Sequence, residues 1–193
     1  PDLLVRTDNA RRAIADRYVP RGTLMDRNDI AISQTRGSTG SLARNYWYPD
    51  LSPIVGYTHP VFGQAGLEAA LDDYLRGLQG NPVSSLVWEQ LVYGTPPPGL
   101  DVRLTLDLRL QQFADAALAG HSGAVVLMNA RTGEILVMAS RPTFDANQLD
   151  VTGDTLSRNE DSPLLNRAAQ GTYQVHNALL PMISASRREA PQR

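Results

Sequence analysis

Gly123-Ala124-Val125-Val126-Leu127-Met128 and Glu134-Ile135-Leu136-Val137-Met138-Ala139-Ser140, joined by Asn129-Ala130-Arg131-Thr132-Gly133, carry the strongest β signal in the sequence. Both arms are short, rich in branched apolar residues and bounded by turn formers, which predicts two strands. A five-residue connection ending in glycine suits a hairpin with a bulge. The apolar residues are consecutive rather than alternating. Both faces are therefore expected to be covered, making these central strands with helices packed on them.

Upstream of this hairpin, Asp107 can cap a helix whose apolar stripe is Leu110, Phe113, Ala114, Ala117 and Leu118, ending at Gly120. Val102 to Leu106 alternates as a strand. Before that, Gly94-Thr95-Pro96-Pro97-Pro98-Gly99 interrupts all regular structure, since three prolines cannot supply ladder donors. A domain boundary is expected there. Downstream, Asp150 to Asp161 is polar and reads as a loop.

In the first part, Asp8 to Tyr18 predicts a short helix stopped by Pro20. Leu24, Ile30 and Ile32 alternate around Asn28-Asp29, which predicts a β-hairpin because Asn and Asp tolerate positive φ. Gly37 to Ser41 reads as a mobile loop, and Tyr46-Trp47-Tyr48 as aromatic packing onto the domain. Ile54-Val55-Gly56-Tyr57 is strand-like, and Leu86 to Tyr93 extended. Gly66 to Arg76 is the clearest helix, with Leu67, Ala70, Leu71, Tyr74 and Leu75 on one stripe. Glu68, Asp72 and Asp73 are expected on its solvated face, with Gly77 ending it.

Composition narrows the function. With 18 basic and 20 acidic residues the net charge is −2, which gives no basic surplus for a nucleic-acid partner. All 18 basic residues are arginine, so no Walker loop, Schiff-base lysine or lysine general base is present. The absence of cysteine removes disulfides and thiolate chemistry. No apolar run approaches a membrane span. His59, His121 and His176 have no metal-ligand spacing, and each reads as a surface or turn residue. No Gly-x-Ser-x-Gly elbow is present, and nothing calls for a cofactor.

Several blocks, in order, resemble the class B penicillin-binding proteins. Arg21-Gly22-x-x-x-Asp26-Arg27-Asn28 is similar to the signature opening that family's pedestal. Gly66-Leu67-Glu68 through Gly77 resembles the next block. Asp101-Val102-x-Leu104-Thr105-Leu106-Asp107 resembles the start of the penicillin-binding domain. Thr132-Gly133-Glu134-Ile135-Leu136, then Pro142-Thr143-Phe144-Asp145-x-Asn147, resemble its first hairpin and the turn after it. Asn166-Arg167-Ala168 and Gly171-Thr172-Tyr173 resemble the approach to the nucleophile. Asp29 replaces a usual glycine and Ala146 a usual proline.

The resemblance implies an α+β fold in two parts. Residues 1–99 would form an elongated pedestal or dimerisation-like domain. Residues 100–193 would begin the transpeptidase domain, leaving an incomplete sheet with packed helices, divergent or truncated after 173. In the family, Pro-Gly-Ser-x-x-Lys comes after the position of Tyr173; here Gln174-Val175-His176-Asn177 stands instead, and no lysine exists to assist a serine. No catalytic residue is therefore expected within this chain.

The functional expectation is a non-catalytic scaffold in cell-wall synthesis. Its partners would be glycosyltransferases, with a homodimer as a further arrangement. The alternative is that a full-length parent is a D,D-transpeptidase whose serine lies beyond the chain; only that parent would meet peptidoglycan or β-lactams. The family places such proteins on the extracytoplasmic face of the membrane, with an anchor expected before residue 1.

Overall fold

The computed structural model describes residues 17–82 and 99–173. The helix expected from Asp8 falls outside them except for Arg17 and Tyr18, which lie in a turn. The extended segment at 86–93, the proline run and the divergent stretch after 173 also lie outside the described residues.

Among the described residues the first sheet has four strands, in the spatial order Ala43–Tyr46, Ala31–Arg36, Leu24–Met25 and Val102–Arg103. Strand β1 (Leu24–Met25) and β2 (Ala31–Arg36) form the expected hairpin, with Asp29 at φ 63 in its turn. Ile30 belongs to that turn, its carbonyl accepts from Asp26 N–H and it is 39% exposed, so the expected alternation fails there. Gly37 to Ser41 turns the chain into β3 (Ala43–Tyr46), an unexpected strand antiparallel to β2. Tyr46 is buried beneath it, while Trp47 lies outside under the Arg36 guanidinium.

Residues 49–51 form a 3₁₀ turn that runs into the single helical turn α1 (Ser52–Val55). Ile54 and Val55 are therefore helical, not strand: Pro49 and Pro53 set helical φ at successive starts, and Gly56 then turns the chain away at φ 77. A small hairpin comes next, β4 (Tyr57–His59) with β5 (Gly63–Ala65).

The expected helix from Gly66 to Arg76 is two pieces, α2 (Gly66–Ala70) and α3 (Asp72–Leu75), broken at Leu71 with φ −104 and ψ 12. Gly77 ends it with positive φ, as expected. The expected stripe is wrong in part. Ala70 and Tyr74 are exposed, whereas Glu68 and Asp72 face inward. Partners elsewhere in the chain, which helical periodicity does not register, reverse the face.

β6 (Val102–Arg103) runs parallel to β1, pairing Leu24 with Val102. The chain after residue 100 thus completes the sheet begun before it. Gly22 makes this approach possible, since a Cβ there would sit 1.9 Å from Leu100 O. α4 (Leu108–Ala117) begins at the Asp107 cap, whose carboxylate accepts from Arg109 N and Leu110 N.

The second hairpin is as expected: β7 (Gly123–Met128) and β8 (Ile135–Arg141), antiparallel, with a register shift between Leu127 and Met128. Gly133 takes φ 78 in the turn. α4 packs on β8, but through Leu108, Gln111 and Asp115 rather than the expected stripe; Leu110 and Phe113 are exposed. β7 is also bare, with Val125 to Met128 between 36% and 58% exposed. Covered faces are thus found on β8, not β7, among the described residues.

After a 3₁₀ turn at 146–148 comes α5 (Leu149–Ser157), where a loop was expected. Leu149 is buried and Leu156 packs on the same core, so two apolar residues two turns apart hold a helix whose Val151 and most polar positions face outward. One core joins both halves of the chain: Leu24, Ile32, Tyr46, Leu51 and Leu75 cluster with Leu106, Leu108, Phe144 and Leu149.

Candidate functional site

The described chain ends at a segment that is tightly laid on β8. Gln111, 1% exposed, reaches across from α4 and pairs with both main-chain groups of Met138: its Oε1 accepts from Met138 N at 3.0 Å, and its Nε2 donates to Met138 O at 2.9 Å. That amide acts as a substitute strand on the edge of β8. Nε2 also reaches the Asp115 carboxylate at 3.2 and 3.3 Å. Burial pushes the Asp115 carboxyl up to about 6; the Gln111 bond opposes this, the Asp50 charge adds to it and Arg141 opposes it.

Ser140 anchors the stretch from Leu165 to Arg167. Its hydroxyl donates to Leu165 O at 3.2 Å and accepts from Arg167 N at 3.0 Å. Asn166 Oδ1 accepts from Ala168 N and Ala169 N, closing a turn. The Arg167 guanidinium donates to Ser162 O at 3.0 Å and to Asp161 O. Tyr173 emerges 60% exposed. Ser140 is fully buried and bonded both ways, so it is a tether and not a nucleophile. Among the described residues no group of His, Asp and Glu could hold a metal ion.

The segment after β8 clamps the two halves together. Thr143 Oγ1 donates to Pro49 O and Asp50 O, and Ser52 Oγ accepts from Ala146 N. Asp145 accepts from Asn147 N and Asn147 Nδ2. So oriented, Asn147 pairs with Tyr46 twice, N–H to Oδ1 at 2.9 Å and Nδ2 to O at 2.8 Å. His59 Nδ1 accepts from Val61 N and Phe62 N at 3.2 Å, which leaves Nε2 to donate to Asp150 at 2.9 Å. At the other end of the clamp, Asp26 accepts from Asn28 N, Ile30 N and Leu108 N. Burial would raise the Asp26 carboxyl, but these bonds and one from the Asn28 side chain outweigh it and hold the group below its ordinary value.

Beneath β2 and β3 lies a buried ionic network. Glu68, 0% exposed, accepts from Arg44 Nε at 2.8 Å, from Ser33 Oγ at 2.8 Å and from Arg21 at 3.3 Å. Arg21 also donates to Asp72 Oδ1, which accepts from Gln64 as well. The Tyr46 hydroxyl is pushed up in pKa, first by burial and then by the Glu68 charge. Buried charges require such partners, because desolvation alone is costly.

The residues singled out in the sequence fall into three structural places. Arg21, Gly66, Leu67 and Glu68 belong to the network and its helix, Leu67 packing half-buried on the core. Gly22, Asp26 and Arg27 join the halves; Arg27 N donates to Leu106 O. Thr105, Asp107, Gly133, Glu134, Asp145, Asn147, Asn166 and Arg167 build the hairpin and its anchored exit. Thr105 Oγ1 donates to Ile135 O at 2.7 Å, and Glu134 closes the turn by accepting from Thr132 Oγ1 at 3.0 Å. Arg44, Asp115 and Asp150 were missed: Arg44 and Asp150 bond across whole elements, and Asp115 meets Gln111 on its own helix, a buried polar pair where an apolar stripe was expected.

Residues 123–175 match the penicillin binding protein transpeptidase domain. The peptidoglycan D,D-transpeptidase MrdA of Escherichia coli is 36% identical over 140 residues, covering 67% of this chain and 22% of that protein. MrdA of Acinetobacter baumannii is 38% identical over 133 residues, 63% of this chain and 20% of the relative. The chain thus spans about a fifth of the length of these curated relatives.

Among solved structures, the D,D-transpeptidase domain of a peptidoglycan glycosyltransferase from Eggerthella lenta is 35% identical with TM-score 0.66, covering 80% of this chain and 33% of its own. Penicillin-binding protein A from M. tuberculosis, as its imipenem acyl-enzyme complex, is 25% identical with TM-score 0.79, covering 91% and 44%.

Proposed function

The chain belongs to the class B penicillin-binding proteins, and from that membership we propose that it is the leading portion of a peptidoglycan D,D-transpeptidase. Its role in this reading is to present the acylating segment that comes after Tyr173. The observation that carries the proposal is the anchored approach. The transpeptidase match runs to residue 175, and residues 165–167 on the approach to Tyr173 are tied to β8, Leu165 O and Arg167 N by the Ser140 hydroxyl and Asn166 Nδ2 by Met138 Sδ.

No Ser-x-x-Lys stretch lies within the 193 residues, and no lysine is present. The acyl transfer itself therefore belongs to a longer parent, in which a serine attacks the stem-peptide carbonyl or a β-lactam. This reading has more support than a scaffold alone, because the relatives are named as transpeptidases and one is seen acylated by imipenem.

In the same proposal, residues 1–99 are the pedestal and 100–193 the start of the transpeptidase domain. The parent works at the extracytoplasmic face of the membrane, on peptidoglycan, beside glycosyltransferase partners and with a homodimer as one arrangement. No helix among the described residues is long and apolar enough to cross a membrane.

Sequencing the gene downstream of residue 173 and measuring intact mass with and without a β-lactam test the proposal together. The expected results are a Ser-x-x-Lys codon run in the gene, one adduct on the longer protein and no adduct on the 193-residue chain. An open reading frame without that run would overturn the transpeptidase reading.

A further inference from the structure

β3 is the outer strand of its sheet, and its outward rungs can be traced one by one. Trp47 N donates to Ile32 O across the β2–β3 pair. Inward and outward rungs alternate in an antiparallel ladder. With Thr35 opposite Arg44 and Ser33 opposite Tyr46, the main chains of Arg44 and Tyr46 therefore face away from β2. Asn147 takes both groups of Tyr46. On the other side, Leu42 N donates to Arg17 O at 3.3 Å. Between these two closed rungs, the Arg44 N–H and C=O have no partner among the described residues. The Arg44 guanidinium is turned the other way, into Glu68, Ser33 and Gly22 O.

This open rung borders a cavity of about 580 Å³, walled by Arg17 at one end and by Asn147, His59 and Asp150 at the other. We infer that the cavity takes an extended peptide segment of a partner protein, which adds to β3 through Arg44. The Asn147 side chain supplies the chemical precedent: an amide C=O and N–H pair already docks on the neighbouring rung. A peptide group offers the same pair, and strand addition to an open edge is a common way of gripping one. Arg17 is exposed and its guanidinium has no partner among the described residues, so an acidic side chain in the segment is favoured at that end. At the opposite end His59 and Asp150 satisfy each other. One open rung makes the contact short and transient. Peptide capture here does not depend on the transpeptidase reading.

Amide exchange of the isotope-labelled chain, read at single residues by NMR, tests it. The probe is a mixture of acetylated five-residue peptide amides with glutamate fixed at the centre and the other positions randomised. The expected result is exchange at Arg44 slowed roughly tenfold by this mixture and unchanged by its backbone N-methylated counterpart. Arg17→Glu should weaken the response while leaving the other amides in place. Two results would overturn the inference. One is an Arg44 amide that does not respond at millimolar total peptide. The other is an Arg44 amide already as protected as inward-facing Asn45 in the free chain, since the chain itself would then fill the cleft.

Discussion

Arg44 Nε donates to Glu68 Oε1 at 2.8 Å, with the two side chains 4% and 0% exposed. Glu68 is also the acceptor for Ser33 and Arg21, so a single carboxylate fastens the α2–α3 helix pieces to the underside of the first sheet.

Glu68→Ala leaves two arginines buried beside an empty site. Removing one partner of a buried pair costs on the order of 3–5 kcal/mol. The expected outcome is a large drop in the urea midpoint, with Arg44→Met combined with Glu68→Leu recovering part of it. A midpoint within error of the parent chain would mean that the network does not hold the helix.

Gly22→Ala should be destabilising at a site with no side chain to lose. Its Cβ would meet backbone, Leu100 O at 1.9 Å and Asp101 N at 3.0 Å, and backbone yields less readily than a side-chain tip. Overpacking of this kind costs roughly 1–3 kcal/mol. The measurement is thermal melting by circular dichroism, where an unchanged midpoint would contradict the close approach of β1 and β6.

Asp115 predicts a pH dependence with a definite sign. Its folded pKa is about 6, above the ordinary 3.8, so between roughly pH 4 and 6 the folded chain holds a proton that the unfolded chain has released. Stability from this group therefore falls as pH rises through that window. Asp115→Asn should flatten the slope there. Asp26 acts oppositely: its carboxyl is held below the ordinary value, so its contribution is lost only as pH falls below about 4. Urea midpoints from about pH 3.5 to 7 for both chains decide the matter; identical profiles would remove Asp115 as the cause.

Phe113 at 76%, Val126 at 49% and Met128 at 58% exposure leave the outer side of α4 and the apolar run of β7 uncovered among the described residues. Bare strands of this kind recruit further strands. The 193-residue chain is expected to self-associate with rising concentration, and Phe113→Glu with Val126→Thr to reduce it. Light scattering showing a monomer at all concentrations would contradict the expectation.

Local chemistry made part of this legible. The Asn129–Gly133 hairpin, the Asp107 cap, the Asn28–Asp29 turn and the Gly77 helix end each depend on residues within a few positions of one another, and all four stand in the structure. The α+β class arises from such elements. Family motifs also directed attention to Asp26, Glu68 and Asn147, though not to what each bonds.

Which face of a helix is buried was decided elsewhere. Periodicity assigned Glu68 and Asp72 to solvent, but Arg21 and Arg44 arrive from other elements and make burial of those carboxylates tolerable. Likewise α4 turns Gln111 inward because the main chain of Met138 offers it two bonds, leaving Phe113 outside. The sequence by itself determined the two hairpin turns, the Asp107 cap and the β7–β8 pair, which depend on residues within a few positions of one another. Tertiary structure alone decided the pairing of buried charges, the joining of β6 to β1 and the unpaired rung at Arg44. Those depend on groups brought together from distant parts of the chain, and no spacing within one element encodes them.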